Sequence, residues 1–582
     1  MKIRSNNIKR VFYIVLILSL LMLVISIPIT HFSSLQLYLW KKGSSFYDFF
    51  TCLKGNVYWN RFELYKDGTI YPPLANLFYA IITRCMSIDT LQQLNKLTDY
   101  NKIKALQECS VFFVMYINIT VIAYCILCVK WKKGSTKEKW GFALLMLCTV
   151  PFLYQFERAN IIFISLILTI AFFIWKDKKG WKREFAYICL AVAAGIKIYP
   201  AIFGLVLIKE KKFKDAVKLC LYGAAMFFLP FIFYGGIKQN AILLINNLMN
   251  TSDLFLTSRI GCQIGYETTL KYIFSFTDGN CEYIVSSIKT IILAFSLFSL
   301  IWIEKSWKQI LLLTCLIIGI PSISYSYAAI FMLIPIVVYL DGGDKTFKEL
   351  FYLIGMMLVM IPLPFCWNEG KGDPYYSYMN MSIPVRVESI AILALNIGLI
   401  ISAIKNLMET RIKRKKYIGL CVGVLILTIG LAINTNKINS IFSHTNYMTK
   451  TLTDKIVLND GDKVLQTFTA RASRLVSVVL KAKNGQSGTA ELSIIKMDTN
   501  EIIQKRAFDL QNVSQGYIEI NVENCYIKPN CQYGIEIKIT KDKGDDIVFS
   551  KTIPTLDTGN EYLEINNKEA EGALSIQINE KN

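Results

Sequence analysis

The chain has 582 residues, 53% of them hydrophobic and only 18% charged, with a net charge of +21. Soluble globular proteins average about 25% charged residues, so these proportions exclude an ordinary soluble domain, and equally a disordered, coiled-coil or collagen-like chain. The positive excess is not a nucleic-acid footprint: residues 436–582 hold 18 basic against 19 acidic residues, while 1–435 hold 46 against 24, clustered in short loops between apolar runs, where such charges set membrane orientation.

Lys2, Arg4, Lys9 and Arg10 precede the first apolar run, Val11 to about Ile29. That run is too long for a signal-peptide core and no small-x-small cleavage site follows it; it predicts an uncleaved anchor with a cytoplasmic N-terminus. Further apolar runs lie near 110–129, 140–155, 160–175, 185–208, 219–236, 284–303, 309–320, 325–340, 350–366, 386–404 and 417–434. A helical crossing takes roughly 20 residues for ~30 Å of hydrocarbon, so the chain reads as a polytopic, mostly α membrane protein. Basic loops at 130–139, 176–183, 209–218 and 405–416 all belong on the cytoplasmic side.

The run 185–208 has such a loop at both ends, and its middle reads Gly195-Ile-Lys-Ile-Tyr-Pro200. Glycine and proline interrupt helices, and non-helical backbone at membrane depth is tolerated where protein or a watery cavity surrounds it. The expectation is two half-helices that enter and return, giving about eleven full crossings plus one re-entrant pair and an external C-terminus. The alternative is one tilted crossing that breaks the charge rule. Large external segments follow at 30–109, 237–283, 367–385 and 436–582.

After a short polar junction at 436–451, residues 452–582 change character. Val476–Lys481, Ala490–Lys496, Tyr517–Val522, Tyr533–Ile539 and Leu574–Ile578 alternate, with turn residues such as Asn459-Asp-Gly461 between them. Period-two alternation predicts an antiparallel β-sandwich, jelly-roll-like in pattern. All nine Trp precede it, so a structural or acceptor-positioning role is favoured over a lectin. Cys525 and Cys531, or Cys262 and Cys281, are close enough in sequence for a disulfide in an oxidising compartment, but spacing decides neither.

With two histidines, no HExxH pattern and no phosphate-binding glycine loop, zinc, Ser-His-Asp and soluble-nucleotide chemistries lose their usual carriers. The first external segment offers Phe46-Tyr-Asp48-Phe-Phe, Gly55-x-x-Tyr58 and Tyr71-Pro-Pro-Leu-Ala-Asn-Leu-Phe78. A carboxylate among aromatic rings is partly desolvated, which strengthens it as a general base. The apolar run Leu74–Ile88 suits a helix lying along the membrane surface, with the prolines in its first turn.

Asp48 beyond the first helix, Gly55 and Tyr58, Tyr71-Pro72-Pro73, Arg158 with Asn160, Lys197-Ile-Tyr199-Pro200 and the late Pro321-Ser-Ile-Ser-Tyr325 resemble, in order and spacing over about 40–340, glycosyltransferase family 87. These are polyprenyl-phosphate-mannose-dependent mannosyltransferase-like enzymes of the GT-C superfamily. Two departures stand out. The family commonly has Arg-Gly-Gln before the asparagine, where this chain has Glu157-Arg-Ala-Asn160, and many members carry a Trp-His pair where this chain has Tyr325-Ser-Tyr327.

The resemblance implies a GT-C-type helical bundle and inverting transfer of one sugar, mannose or arabinofuranose in the family, from a polyprenyl-phosphate donor to an extracytoplasmic glycan or glycolipid. Asp48 would take the acceptor proton. Arg158, then Lys197, then Arg259 would meet the donor phosphate, since something basic should face the charge left on it. Tyr58, Tyr71, Asn160 and Tyr199 would line the substrates. No cofactor or metal is required. The family points to a bacterial plasma membrane. A lipid-glycan flippase would place charges inside several crossings, and a glycan polymerase or ligase would draw on external arginines and a histidine; this chain offers few of either. Sugar, acceptor, linkage and oligomeric state stay open.

Overall fold

The computed structural model describes residues 2–30, 45–57, 64–66, 68–97, 99–258, 263–274, 282–321, 323–363, 383–409, 444–447 and, with short gaps, 454–581. The chain divides into a helical unit, Met1–Leu244 with Leu254–Ala432, and a second unit, Ile245–Asp253 with Ile433–Asn582.

The helical unit runs through α1 (Ser5–Ile29), α2 (Tyr47–Gly55), α3 (Pro73–Arg84), α4 (Gln107–Trp131), α5 (Thr136–Leu147), α6 (Val150–Arg158), α7 (Ile162–Trp175) and α8 (Trp181–Ile196). It continues with α9 (Leu205–Lys209), α10 (Phe213–Phe228), α11 (Glu282–Trp302), α12 (Ser306–Gly319), α13 (Leu333–Leu340), α14 (Leu350–Met360) and α15 (Ile383–Glu409). Among the described residues, four helices are long and apolar enough to cross a membrane: Ser5–Ile29, Gln107–Trp131, Phe213–Tyr234 and Pro384–Leu407. The pair α5–α6, bent by 59°, makes a fifth if it is one span, and other apolar helices are 10–17 residues long. Many of the apolar runs therefore form short or broken helices rather than straight spans. The run 417–434 lies outside the described residues.

Local chemistry explains several boundaries. Pro72 caps α3 and Pro73 opens it, where a missing N–H costs nothing. The Ser135 hydroxyl accepts from the Glu138 backbone N–H at the start of α5, satisfying one of the orphan donors of a helix N-terminus. Pro151 sits in the first turn of α6, where the apolar run 140–155 bends instead of continuing. Inside α4, Cys125-x-x-Cys128 is a pair of free, buried thiols.

The basic segments gather at one end of the helical unit. Lys9 Nζ meets Glu138 at 3.1 Å, Lys132 pairs with Asp341 and Lys176 with Glu210, and Lys212 reaches Asp177 at 2.5 Å. Lys209 donates to the Ile301 carbonyl at 2.6 Å and Asn406 to that of Trp302 at 3.2 Å. The two ends of the segment 181–209 therefore both lie there. Between them α8 stops at Lys197, whose backbone is extended (φ −140°, ψ 126°), and a 3-10 turn, Tyr199–Gly204, leads into α9. The break at the Gly-Ile-Lys-Ile-Tyr-Pro stretch is the interruption that the glycine and proline predict. Gly195 is needed there for a second reason: a Cβ on it would stand 2.8 Å from the Met226 carbonyl oxygen of α10.

The C-terminal unit is antiparallel β. One sheet orders its strands 568–570, 563–565, 463–469, 532–542, 488–496 and 501–509; another orders 444–447, 576–581, 474–481 and 517–526; a third holds 573–574, 547–552 and 454–458. Ile456, Phe468, Val478, Leu492, Ile520 and Ile537 are among the residues of their common core. Two features depart from the sequence reading. The expected junction contains a strand, His444–Tyr447, paired with Gln577–Glu580. Glu501–Asp509 is an edge strand with no buried residue, so it has no alternation to detect. Cys525 and Cys531 are separate thiols; Cys262 and Cys281 lie outside the described residues.

Candidate active site

Opposite the basic end, chain segments far apart in sequence bring their polar groups together around Asp48. This residue sits in the first turn of α2, which begins after Phe46 in the left-handed region (φ 63°). Phe49, Phe50 and Leu53 of the same helix are buried against Tyr79, Tyr116 and Ile161. That packing leaves Asp48 and, one turn on, Cys52 on one face, since residues four apart in a helix stack above each other.

Both oxygens of Asp48 are engaged. Oδ1 accepts from Arg158 Nη2, and Oδ2 accepts from Asn160 Nδ2 at 2.7 Å. The same amide donates to the Tyr71 hydroxyl at 3.0 Å. Arg158 is the last residue of α6, and Ala159 stops that helix in the left-handed region (φ 50°). The reversal turns Asn160 back toward α2. It is fixed there by its own Oδ1, which accepts from the Ile162 N–H at 3.0 Å, and by its carbonyl, which accepts from the Tyr116 hydroxyl at 2.8 Å. The ion pair is largely buried, with side-chain exposures of 7% for Arg158 and 12% for Asp48.

Lys197 comes from the break after α8. Its ammonium stands 4.2 Å from the centre of the Tyr71 ring, and the charge of Asp48 acts on it. Among the described residues no carboxylate lies within 4.0 Å of it. The opposite wall is aromatic: the guanidinium of Arg158 lies 5.2 Å from the Tyr47 ring, and Tyr154 stacks on Tyr327 at 5.9 Å with an interplanar angle of 18°. Tyr327 is within electrostatic reach of Asp48, Tyr199 and Arg158.

The neutral neighbours of Asp48 are held neutral. Burial, then the charge of Asp48, pushes the Cys52 thiol up to about 12, against a smaller opposing effect of Lys197. Burial, then Cys52 and Asp48, raises the Tyr71 hydroxyl well above its usual range. Tyr71 is itself positioned from below: its carbonyl accepts from Asn76 Nδ2 at 3.0 Å and from the Tyr65 hydroxyl at 3.2 Å.

Five of the residues singled out in the sequence, Asp48, Tyr71, Arg158, Asn160 and Lys197, thus meet in one cluster, and Tyr199 borders it through Tyr327. Arg158 is oriented by Asp48, a pairing that sequence proximity to Glu157 did not suggest. Tyr58 and Arg259 lie outside the described residues. Cys52, Asn76 and Tyr154 complete the site without having been singled out. The helical offsets Asp48–Cys52 and Tyr154–Arg158, each of four residues, are the signal that locates two of them. Among the described residues no group of three or more His, Cys, Asp or Glu side chains could hold a metal ion.

No curated protein matches the chain. The sequence model of glycosyltransferase family 87 matches residues 70–243, the stretch that supplies Tyr71, Arg158, Asn160 and Lys197. The match bears out, over those residues, the resemblance to glycosyltransferase family 87 read from the motifs.

Proposed function

We propose that the chain transfers a single sugar, of mannose or arabinofuranose type, from a polyprenyl-phosphate donor to an extracytoplasmic glycan or glycolipid, with inversion. The observation that carries this reading is the Asp48 carboxylate held at both oxygens by Arg158 and Asn160. A base works when its lone pair is aimed before the substrate arrives, and these two donors aim it.

In the reaction the acceptor oxygen attacks the anomeric carbon from the face away from the phosphate. Its proton passes to Asp48 as the new C–O bond forms, and the old C–O bond breaks with its electron pair going to the phosphate. The transition state is oxocarbenium-like, so negative charge grows on the leaving oxygen. Lys197 is suited to that charge, and a guanidinium with five N–H donors can hold Asp48 and a phosphate oxygen at once. Arg158 therefore couples donor binding to the base. Arg259 is a third phosphate ligand in this reading; Tyr58, Tyr71, Asn160 and Tyr199 line the substrate. No cofactor or metal takes part.

The setting is a bacterial plasma membrane, with residues 1–435 as the membrane transferase domain, the N-terminus cytoplasmic, and 452–582 an extracellular module. The gathering of the basic segments at the end away from Asp48 supports that orientation. The test is sugar transfer by membranes containing wild type or Asp48→Asn at equal insertion, given a panel of polyprenyl-phosphate sugars and extracted glycolipids. Asparagine keeps the shape and removes the base, so transfer should fall by about 10²–10⁴. Equal transfer by the two proteins would refute the mechanism.

A further inference from the structure

At the basic end of the helical unit a cavity of about 490 Å3 opens beside the end of α4 and the start of α12. Its walls include Trp131, Lys133, Lys305, Trp307, Asp341 and Lys345. α4 connects it to the site end: Tyr116 binds the Asn160 carbonyl there, while Trp131 stacks on Phe173 here.

The acids in this wall already have partners. Asp341 takes the buried ammonium of Lys132 and the Lys133 backbone N–H at 2.8 Å, and Asp344 accepts the Ser5 N–H at 2.9 Å. Lys305 is matched by Glu349 at 2.6 Å. Lys345 is different. It is 2% exposed, yet its ammonium donates to the Gly343 carbonyl at 2.7 Å and lies 5.0 Å from the Tyr339 ring centre, with no carboxylate within 4.0 Å among the described residues. An ammonium has three donors, and burying it away from an anion is costly. Burial pulls it below its ordinary value, with Glu349 opposing more weakly, and an anion placed here would act in the same sense as Glu349. Lys133 stands exposed at the rim.

We propose that this cavity binds a phosphate anion, carried by the headgroup of an anionic phospholipid or free in solution, between Lys345 and Lys133. Trp131, half-buried in the cavity wall, is an aromatic of the kind enriched at membrane–water interfaces, and basic pockets between helices at that level suit anionic headgroups. The inference stands independently of the transfer mechanism, because no residue of the Asp48 cluster contributes to it.

The test uses the full chain in detergent, titrated with dioleoylphosphatidylglycerol or dioleoylphosphatidylcholine and read by native mass spectrometry, and in parallel with inorganic phosphate read by thermal shift. Phosphatidylglycerol should be retained over phosphatidylcholine. Lys133→Ala should weaken it about fivefold, as one lysine near a membrane surface does, and Lys345→Met should weaken it further while Lys345→Arg retains it. A phosphate shift with the same sensitivity to Lys133→Ala, without lipid preference, supports free phosphate as the source. Equal retention of the two lipids with no phosphate shift overturns the proposal, as does unchanged binding in Lys133→Ala. That last variant alters an exposed side chain, so it decides the matter even where Lys345→Met fails to fold.

Discussion

The two ends of the helical unit hold most of their charges in different ways. At the basic end the Lys132–Asp341 pair is sealed, but the pairs at the rim keep much of their surface in water: Lys212 is 34% and Asp177 60% exposed, Lys218 40% and Glu184 33%. At the site end the Asp48–Arg158 pair is nearly sealed, and the Asn160 amide ties its carboxylate to the Tyr71 hydroxyl. Exposed pairs contribute roughly 0–1 kcal/mol and tolerate loss. A buried pair stripped of one partner loses about 3–5 kcal/mol, because the charge left behind has no solvent. The rim of the basic end can therefore vary and still orient the chain, whereas the Asp48 cluster is one unit whose parts need each other.

Removing the cation of that unit gives the largest expected effect. Arg158→Met leaves Asp48 buried with Asn160 alone, so thermal unfolding in detergent should show a loss of about 3–5 kcal/mol, together with loss of transfer. A variant as stable as wild type would mean that water enters the site freely and that the contrast between the two ends is false. Asn160→Ala should come next. It frees one Asp48 oxygen and the Tyr71 hydroxyl, at about 1–3 kcal/mol, and transfer should fall more than stability because the carboxylate loses its aim. Equal losses in both would make Asn160 structural. Gly195→Ala probes the scaffold instead: its Cβ would strike the Met226 carbonyl oxygen, and overpacking costs typically about 1–3 kcal/mol.

Part of this design was legible in the sequence. Asp48 stood out as an acid among aromatics, Gly195 and Pro200 announced the broken helix, and Pro72-Pro73 marked the start of α3, because each signal is local. The sandwich strands 474–481 and 488–496 showed themselves through alternation, which a half-buried strand cannot avoid. What stayed hidden was non-local. The Asp48–Arg158 pair joins residues 110 apart, and the left-handed turn at Ala159 that brings Asn160 to the same carboxylate leaves no mark in hydropathy. The strand 501–509 was silent because neither of its faces is buried. The bend between α5 and α6 hid within continuous hydropathy, since an apolar run reads alike whether straight or folded.

The smallest effect is the sharpest check on the comparison. Lys212→Ala removes a lysine that bridges Asp177 and Glu210 at 2.5 and 2.6 Å, bond lengths as short as those around Asp48. If distance alone fixed the worth of an ion pair, this variant would rival Arg158→Met. If exposure decides, its loss should stay below about 1 kcal/mol, since water replaces the lysine at both carboxylates and salt screens what remains. Lys176 also stays beside Glu210 and Asp177, so neither acid is abandoned. Unfolding curves for Lys212→Ala and Arg158→Met, taken in the same detergent at low and high salt, separate the two accounts. The Lys212 variant should differ from wild type only slightly at low salt and not at all at high salt, while the Arg158 variant keeps its deficit in both, because a sealed pair is out of reach of the counterions.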